Sequence, residues 1–247
     1  MFLASCSVIE DRSVCPCWLK VTYDECEEMT GDIRYFIWNS EDFLVQGKED
    51  IATGPHMYST PRGSISYAGS FGIPDLFVSD GLYTLVDNQE AAEFYAYWHN
   101  DILMVDDYVQ TSVKPRKQFA NLRIDFTEDI SDRYRDIVCE IASTSAGVNL
   151  RTLQAVKGLY FLNKEPDSNG QFNFNISRQG FGDLTLTVLE KGERLNVYSL
   201  SKILDDAGYD WTAPALKNAS ITLSLTRQDV SVELGDWEDG GEFDQGL

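Results

Sequence analysis

At 247 residues the chain can form one large domain or two ordinary ones, and 43% hydrophobic with 12% aromatic residues is enough to bury a core, which excludes wholesale disorder. Forty acidic residues against twenty basic ones leave a formal net charge of -20, so its long-range field repels nucleic acid and no nucleic-acid partner is expected. No run approaches the roughly 18 consecutive apolar residues of a membrane-spanning helix.

The chain opens on Leu3-Ala4-Ser5-Cys6. This resembles a bacterial lipobox, in which small residues ahead of a cysteine let a signal peptidase cut and the thiol take up a diacylglyceryl group. Cys6 is then the lipid-attachment residue, carrying palmitate-type acyl chains. Only five residues precede it, whereas a secretory signal needs an apolar stretch of about 7 to 15 residues, so the motif calls for a start upstream of Met1. Residues 1–14 are read as signal remnant, lipobox and tether.

Short runs with alternating and aromatic character follow, and they predict strands. In the first half these are 18–23, 33–38, 42–45, 64–67, 82–86, 93–98 and 102–105. Turn-rich Thr53-Gly54-Pro55 and Thr60-Pro61-Arg62-Gly63 lie between them. Pro115 in a basic patch marks a boundary near Lys114 to Gln118. Further strands are predicted over 119–126, 137–142, 156–162, 172–176, 184–189, 195–198, 221–225 and 230–234. Strands this short at such regular spacing indicate all-β sandwiches, here two in tandem over 15–115 and 116–235.

One short helix is predicted over 199–208. Leu200, Ile203 and Leu204 recur at helical spacing, a Ser caps the start and Gly208 supplies the left-handed stop. Residues 236–247 form an acidic, Gly-rich tail. It is either a loose end or a strand awaiting a groove, with Gly240, Gly241, Phe243 and Leu247 as its donor-strand residues.

Five cysteines is an odd number for an exported chain, and lipidation of Cys6 accounts for the odd one. Cys15, Cys17, Cys26 and Cys139 then form disulfides in one of three connectivities or remain thiols. A Cys15–Cys17 bridge is the least favoured, since positions i and i+2 of an extended chain lie at the edge of disulfide geometry. Their spacing lacks the paired C-x-x-C knuckles of structural zinc sites, and His56 and His99 stand alone, so no metal or cofactor is expected. Asp24-Glu25-Cys26-Glu27-Glu28 lacks the spacing of a calcium loop. No nucleophile elbow, H-E-x-x-H, P-loop or dinucleotide pattern occurs, and the reading is non-enzymatic.

Several stretches together resemble the FimB-like family of Bacteroidia fimbrial anchor and accessory lipoproteins. They are Cys6 in its lipobox, Asp11-Arg12-Ser13-Val14-Cys15-Pro16-Cys17 leading into a strand, Lys117-Gln118-Phe119-Ala120-Asn121-Leu122, Gly208-Tyr209-Asp210-Trp211-Thr212-Ala213, and Asp236-Trp237. The resemblance implies two transthyretin-like Greek-key sandwiches, a surface-exposed outer-membrane lipoprotein, and a role in anchoring or regulating a fimbrium assembled by β-strand exchange, in support of cell adhesion. Its partners would be fimbrial pilin subunits and, through acylated Cys6, outer-membrane lipid. Related pilins are cut after an Arg, but an anchor must keep Cys6 joined to its body, so no cut after Arg12, Arg34 or Arg62 is expected. The alternative is a carbohydrate-binding surface lipoprotein without a polymer partner, with Trp98, Trp211 or Trp237 as sugar-stacking residues. A secreted β-sandwich hydrolase trails both.

Overall fold

The computed structural model describes residues 15–24, 31–41, 43–128, 136–227 and 229–235. Among these the regular structure is eighteen strands, one α-helix and two short 3-10 turns. The strands of the first half are β1 (Cys17–Tyr23), β2 (Asp32–Trp38), β3 (Leu44–Asp50), β4 (His56–Thr60), β5 (Gly63–Phe71), β6 (Val78–Ser79), β7 (Leu82–Thr84), β8 (Tyr95–Met104) and β9 (Tyr108–Val113). Those of the second half are β10 (Arg116–Lys117), β11 (Phe119–Phe126), β12 (Ile137–Asn149), β13 (Gln154–Lys164), β14 (Phe172–Ser177), β15 (Thr185–Glu190), β16 (Glu193–Ser199), β17 (Asn218–Leu223) and β18 (Val230–Gly235). The helix α1 (Leu200–Asp206) separates β16 from β17.

The chain divides into two units, Met1–Ala68 with Trp98–Pro115, and Gly69–Tyr97 with Arg116–Leu247. The sequence reading runs the first domain unbroken to residue 115, whereas residues 69–97 group with the second unit. Backbone pairing is the reason. β7 adds to β12, the Ala91 N–H donates to the Asn175 carbonyl, and the Gln118 N–H donates to the Phe94 carbonyl.

In the first unit, β4, β1 and β9 form a three-stranded sheet in that order, and β3, β2, β5 and β8 are successive neighbours in a second sheet. Alternation sets which side chains enter the core. Leu19 and Val21 point inward from β1 while Trp18 points out, and Ile33, Ile37, Ile65, Tyr67 and Met104 are buried with them. Each such aliphatic side chain contributes about 1.5–3 kcal/mol of transfer free energy relative to exposure.

In the second unit, one sheet has the order β14-β11-β17-β18 and the other the order β16-β15-β12-β7-β6, with β13 pairing β12. Leu122, Ile124, Ile141, Phe172, Phe174, Leu186, Val188 and Ile221 are fully buried between them. The architecture is thus all-β and sandwich-forming, as the strand spacing predicts. The helix also forms as predicted: the Ser199 side chain accepts from the Lys202 N–H, and Gly208 adopts φ 78° just beyond the C-terminal end.

Four strands lie where the sequence suggests none. β6 and β10 are only two residues long, and β4 (His-Met-Tyr-Ser-Thr) and β9 (Tyr-Val-Gln-Thr-Ser-Val) carry too few aliphatic residues to produce an apolar alternation. Conversely, 93–98 and 102–105 belong to a single strand, β8, within which Asp101 takes φ 60°.

Candidate functional site

The residues singled out for attachment and cross-linking fall into two groups. Cys6, Cys26, Gly240, Gly241, Phe243 and Leu247 lie outside the described residues. Cys15, Cys17 and Cys139 are free thiols. Cys15 is exposed ahead of β1, whereas Cys17 is fully buried, with its Sγ 3.6 Å from the Met104 carbonyl oxygen that accepts its proton. Cys139 is fully buried in β12, where desolvation pushes its thiol well above the ordinary value and leaves it inert.

Both units repeat one strand arrangement, and it decides where sheet edges lie. β1 pairs antiparallel with β4 and parallel with β9. β11 likewise pairs antiparallel with β14 and parallel with β17. In the second unit the sheet continues, because β18 adds antiparallel to β17 from Asn218↔Gly235 to Leu223↔Val230. In the first unit β9 ends its sheet among the described residues. Gly235 is thus already paired within β18.

The stretches 117–122 and 208–213 meet in space. Gln118, fully buried, donates from Nε2 to the carbonyls of Arg116 (3.1 Å) and Pro214 (2.8 Å). Its Oε1 accepts from Nη2 (2.6 Å) and Nε (3.3 Å) of Arg178. Arg178 in turn donates to the carbonyls of Trp211 and, at 2.9 Å, Ala213. Burial lowers the Arg178 guanidinium from its usual value, opposed by the nearby Tyr209 and Asp210. Tyr209 donates its hydroxyl to the Lys217 carbonyl at 2.6 Å and tilts against Trp211 with ring centroids 4.5 Å apart. The network is a clamp holding the loop after α1 against the start of β11. A sequence reading recognises its residues as a motif but has no signal that Arg178 joins them.

A cleft of about 180 Å³ lies beside α1, with Gln179, Ser201, Asp205, Trp211 and Thr212 in its wall. Small-molecule sites usually enclose about 300–1,000 Å³, so this cleft has room for little more than one sugar ring. Of the other aromatic candidates, Trp98 is exposed on β8 and Trp237 lies outside the described residues.

In the first unit, the Glu49 carboxylate on β3 accepts from His56 Nδ1 and, at 3.1 Å, from the Tyr58 hydroxyl, both on β4. His56 and Tyr58 are buried, and desolvation followed by the neighbouring Tyr23 and Glu49 drives the Tyr58 phenol far above its ordinary value. The cluster therefore ties β3 to β4. Among the described residues, no group of three or more His, Cys, Asp or Glu gathers as a metal-ligand set.

Taken together, the molecule is a pair of β-sandwich units with repeated strand order and edge strands at their margins. Solved structures share this fold along most of their length. The fimbrial anchor protein Mfa2 from Porphyromonas gingivalis superposes with a TM-score of 0.68 at 12% identity, over 90% of this chain and 98% of that one. A proposed adhesin from Bacteroides ovatus gives 0.60 at 12% identity, covering 92% and 97%. A proposed polysaccharide-binding protein from Bacteroides thetaiotaomicron also gives 0.60 at 12% identity, covering 92% and 100%. No protein-family model and no curated protein matches the sequence.

Proposed function

We propose that this chain is a non-enzymatic, surface-exposed lipoprotein of the outer membrane that anchors or regulates a fimbrium and so supports cell adhesion. The observation that carries the reading is the likeness, across nearly the full length of both chains, to a fimbrial anchor protein. The lipobox at Cys6 supports it independently. Two acyl chains on one sulfur, at about 0.8 kcal/mol per buried methylene, give stable anchoring where one gives marginal binding. Pilin subunits are the proposed partners, met by β-strand addition in which backbone groups supply affinity and alternate side chains supply specificity.

Two elements are proposed to take part: the open margin of β9, and the tail beyond β18 with Gly240, Gly241, Phe243 and Leu247. Changing Cys6 to Ser in the producing cell should release both the protein and its fimbriae into the medium, and the intact mass of the membrane-extracted protein should carry a diacylglyceryl adduct. Fimbriae retained by a Cys6→Ser strain would sink the anchor reading. Deleting residues from Gly240 onward should weaken fimbrial retention, and unchanged retention removes the tail from the proposal.

A second reading, a carbohydrate-binding surface lipoprotein, is favoured by the Trp211 cleft and by the name of one structural neighbour. Glycan-array binding lost on Trp211→Ala would support it.

A further inference from the structure

The sheet β4-β1-β9 has an apolar outward face whose strands carry no carboxylate. In a protein with 40 acidic residues, none of the residues of β1, β4 or β9 is Asp or Glu. Register places Ser59, Trp18 and Tyr108 in one row across the face, and Met57, Lys20 and Gln110 in the next. Trp18 is 45% exposed, Met57 52% and Tyr108 46%, while Leu19 and Tyr58 of the same strands point inward and are buried. Of the carboxylates at the margins, Asp107 pairs with Arg62 and Asp24 accepts from the Ser112 hydroxyl, while Asp106 is exposed just before β9.

Tryptophan and tyrosine flanked by a lysine is the composition that settles at the headgroup level of a bilayer, where a ring finds apolar surface and its polar atom stays wet. Three large apolar side chains held together at half exposure, unlike singly scattered ones, mark an interaction surface. The absence of carboxylates also makes this a face that an anionic lipid surface does not repel.

The position of the face in the chain says what covers it. Twelve residue steps separate Cys6 from Trp18, at most about 40 Å of fully extended chain. If Cys6 is acylated, the start of β1 is held next to the bilayer at high effective concentration.

We propose that the outward face of the β4-β1-β9 sheet lies on the membrane surface, with Trp18, Tyr108 and Met57 in the headgroup region and Lys20 directed at lipid phosphate. The inference rests on the reading of Cys6 as acylated and goes beyond it. The acyl chains supply retention, and the face fixes the orientation in which the first unit stands on the membrane. Its signature is therefore the environment of Trp18, not the amount of protein bound.

The test uses the acylated, membrane-extracted protein reconstituted into phosphatidylethanolamine–phosphatidylglycerol vesicles, with and without brominated acyl chains. Bromine should quench part of the tryptophan emission, and Trp18→Phe should remove that part. Tyr108→Ser with Lys20→Glu, which leaves Trp18 in place, should reduce it. Acylated protein whose quenching is absent, or identical in Trp18→Phe, overturns the face and leaves the anchor standing. So does a Trp18 emission that responds to cell-surface polysaccharide and not to brominated lipid. If the mass shows Cys6 unacylated, the anchor reading falls. Sedimentation of the unmodified chain with the same vesicles then decides the face: pelleting reduced about tenfold by Trp18→Ser with Tyr108→Ser sustains it, and no pelleting overturns it.

Discussion

Arg178 is a guanidinium buried to 7% exposure whose hydrogen bonds go to the carbonyls of Trp211 and Ala213 and to the Gln118 side chain. Removing it leaves three acceptors in a dry site without donors, and each orphan carries its own desolvation cost. Arg178→Met should therefore destabilise the protein by about 3 kcal/mol in denaturant unfolding. Because Gln118 shares the network, the double change with Gln118→Leu should cost less than the two single changes added together.

Glu128 illustrates the opposite balance. Partial burial alone raises its carboxyl, but bonds from the Leu225 and Thr226 N–H groups and from the hydroxyls of Thr226, Ser224 and Thr127 outweigh that and bring it down to about 2, from an ordinary 4.5. The depressed value makes the contribution fully present above pH 4.5 and lost as pH falls through 2. Glu128→Gln should cost about 1 kcal/mol at pH 7, modest because the site is partly solvated. The gap between variant and parent should close as the pH of the unfolding titration is taken from 4.5 toward 2. A gap that stays constant would show that the carboxylate is not what the loop after β17 depends on.

At the level of elements, what could be seen in advance was whatever a strand or helix announces locally. β11 was legible to the residue, because Phe119 to Phe126 alternates cleanly and follows a proline. The helix was legible because its cap, apolar stripe and glycine stop are all local. β4 and β9 were not, since both are margins of a sheet whose inward positions include His56, Thr60 and Thr111. Pairing partners were not legible either. The parallel contacts of β1 with β9 and of β11 with β17 join segments 90 and 97 residues apart, and nothing in either segment encodes the other. Gly147 is intelligible only afterwards: a Cβ there would lie 2.1 Å from the Tyr83 carbonyl oxygen, so the approach of β7 to β12 demands glycine. The candidate site divides in the same way. Cys6 and the tail were visible as composition, while the Gln118–Arg178 clamp and the carboxylate-free face of β4-β1-β9 emerge only when the register is known.

For the whole molecule, the formal charge of -20 on 247 residues is the largest single departure from an ordinary domain. Such self-repulsion favours solubility and opposes compaction, and it acts through solvent, so added salt should weaken it. The melting temperature at pH 7 should rise as sodium chloride is taken from about 10 mM to about 300 mM, over which the screening length falls from roughly 30 Å to under 10 Å. The increase should level off there, because charges farther apart than that length are by then already screened. Local contacts such as the Arg62–Asp107 pair would be weakened by the same salt, pulling the curve the other way. A melting temperature that falls over this range would mean that such pairs, and not net repulsion, dominate the electrostatics. The acidic surface would then contribute solubility at no cost in stability.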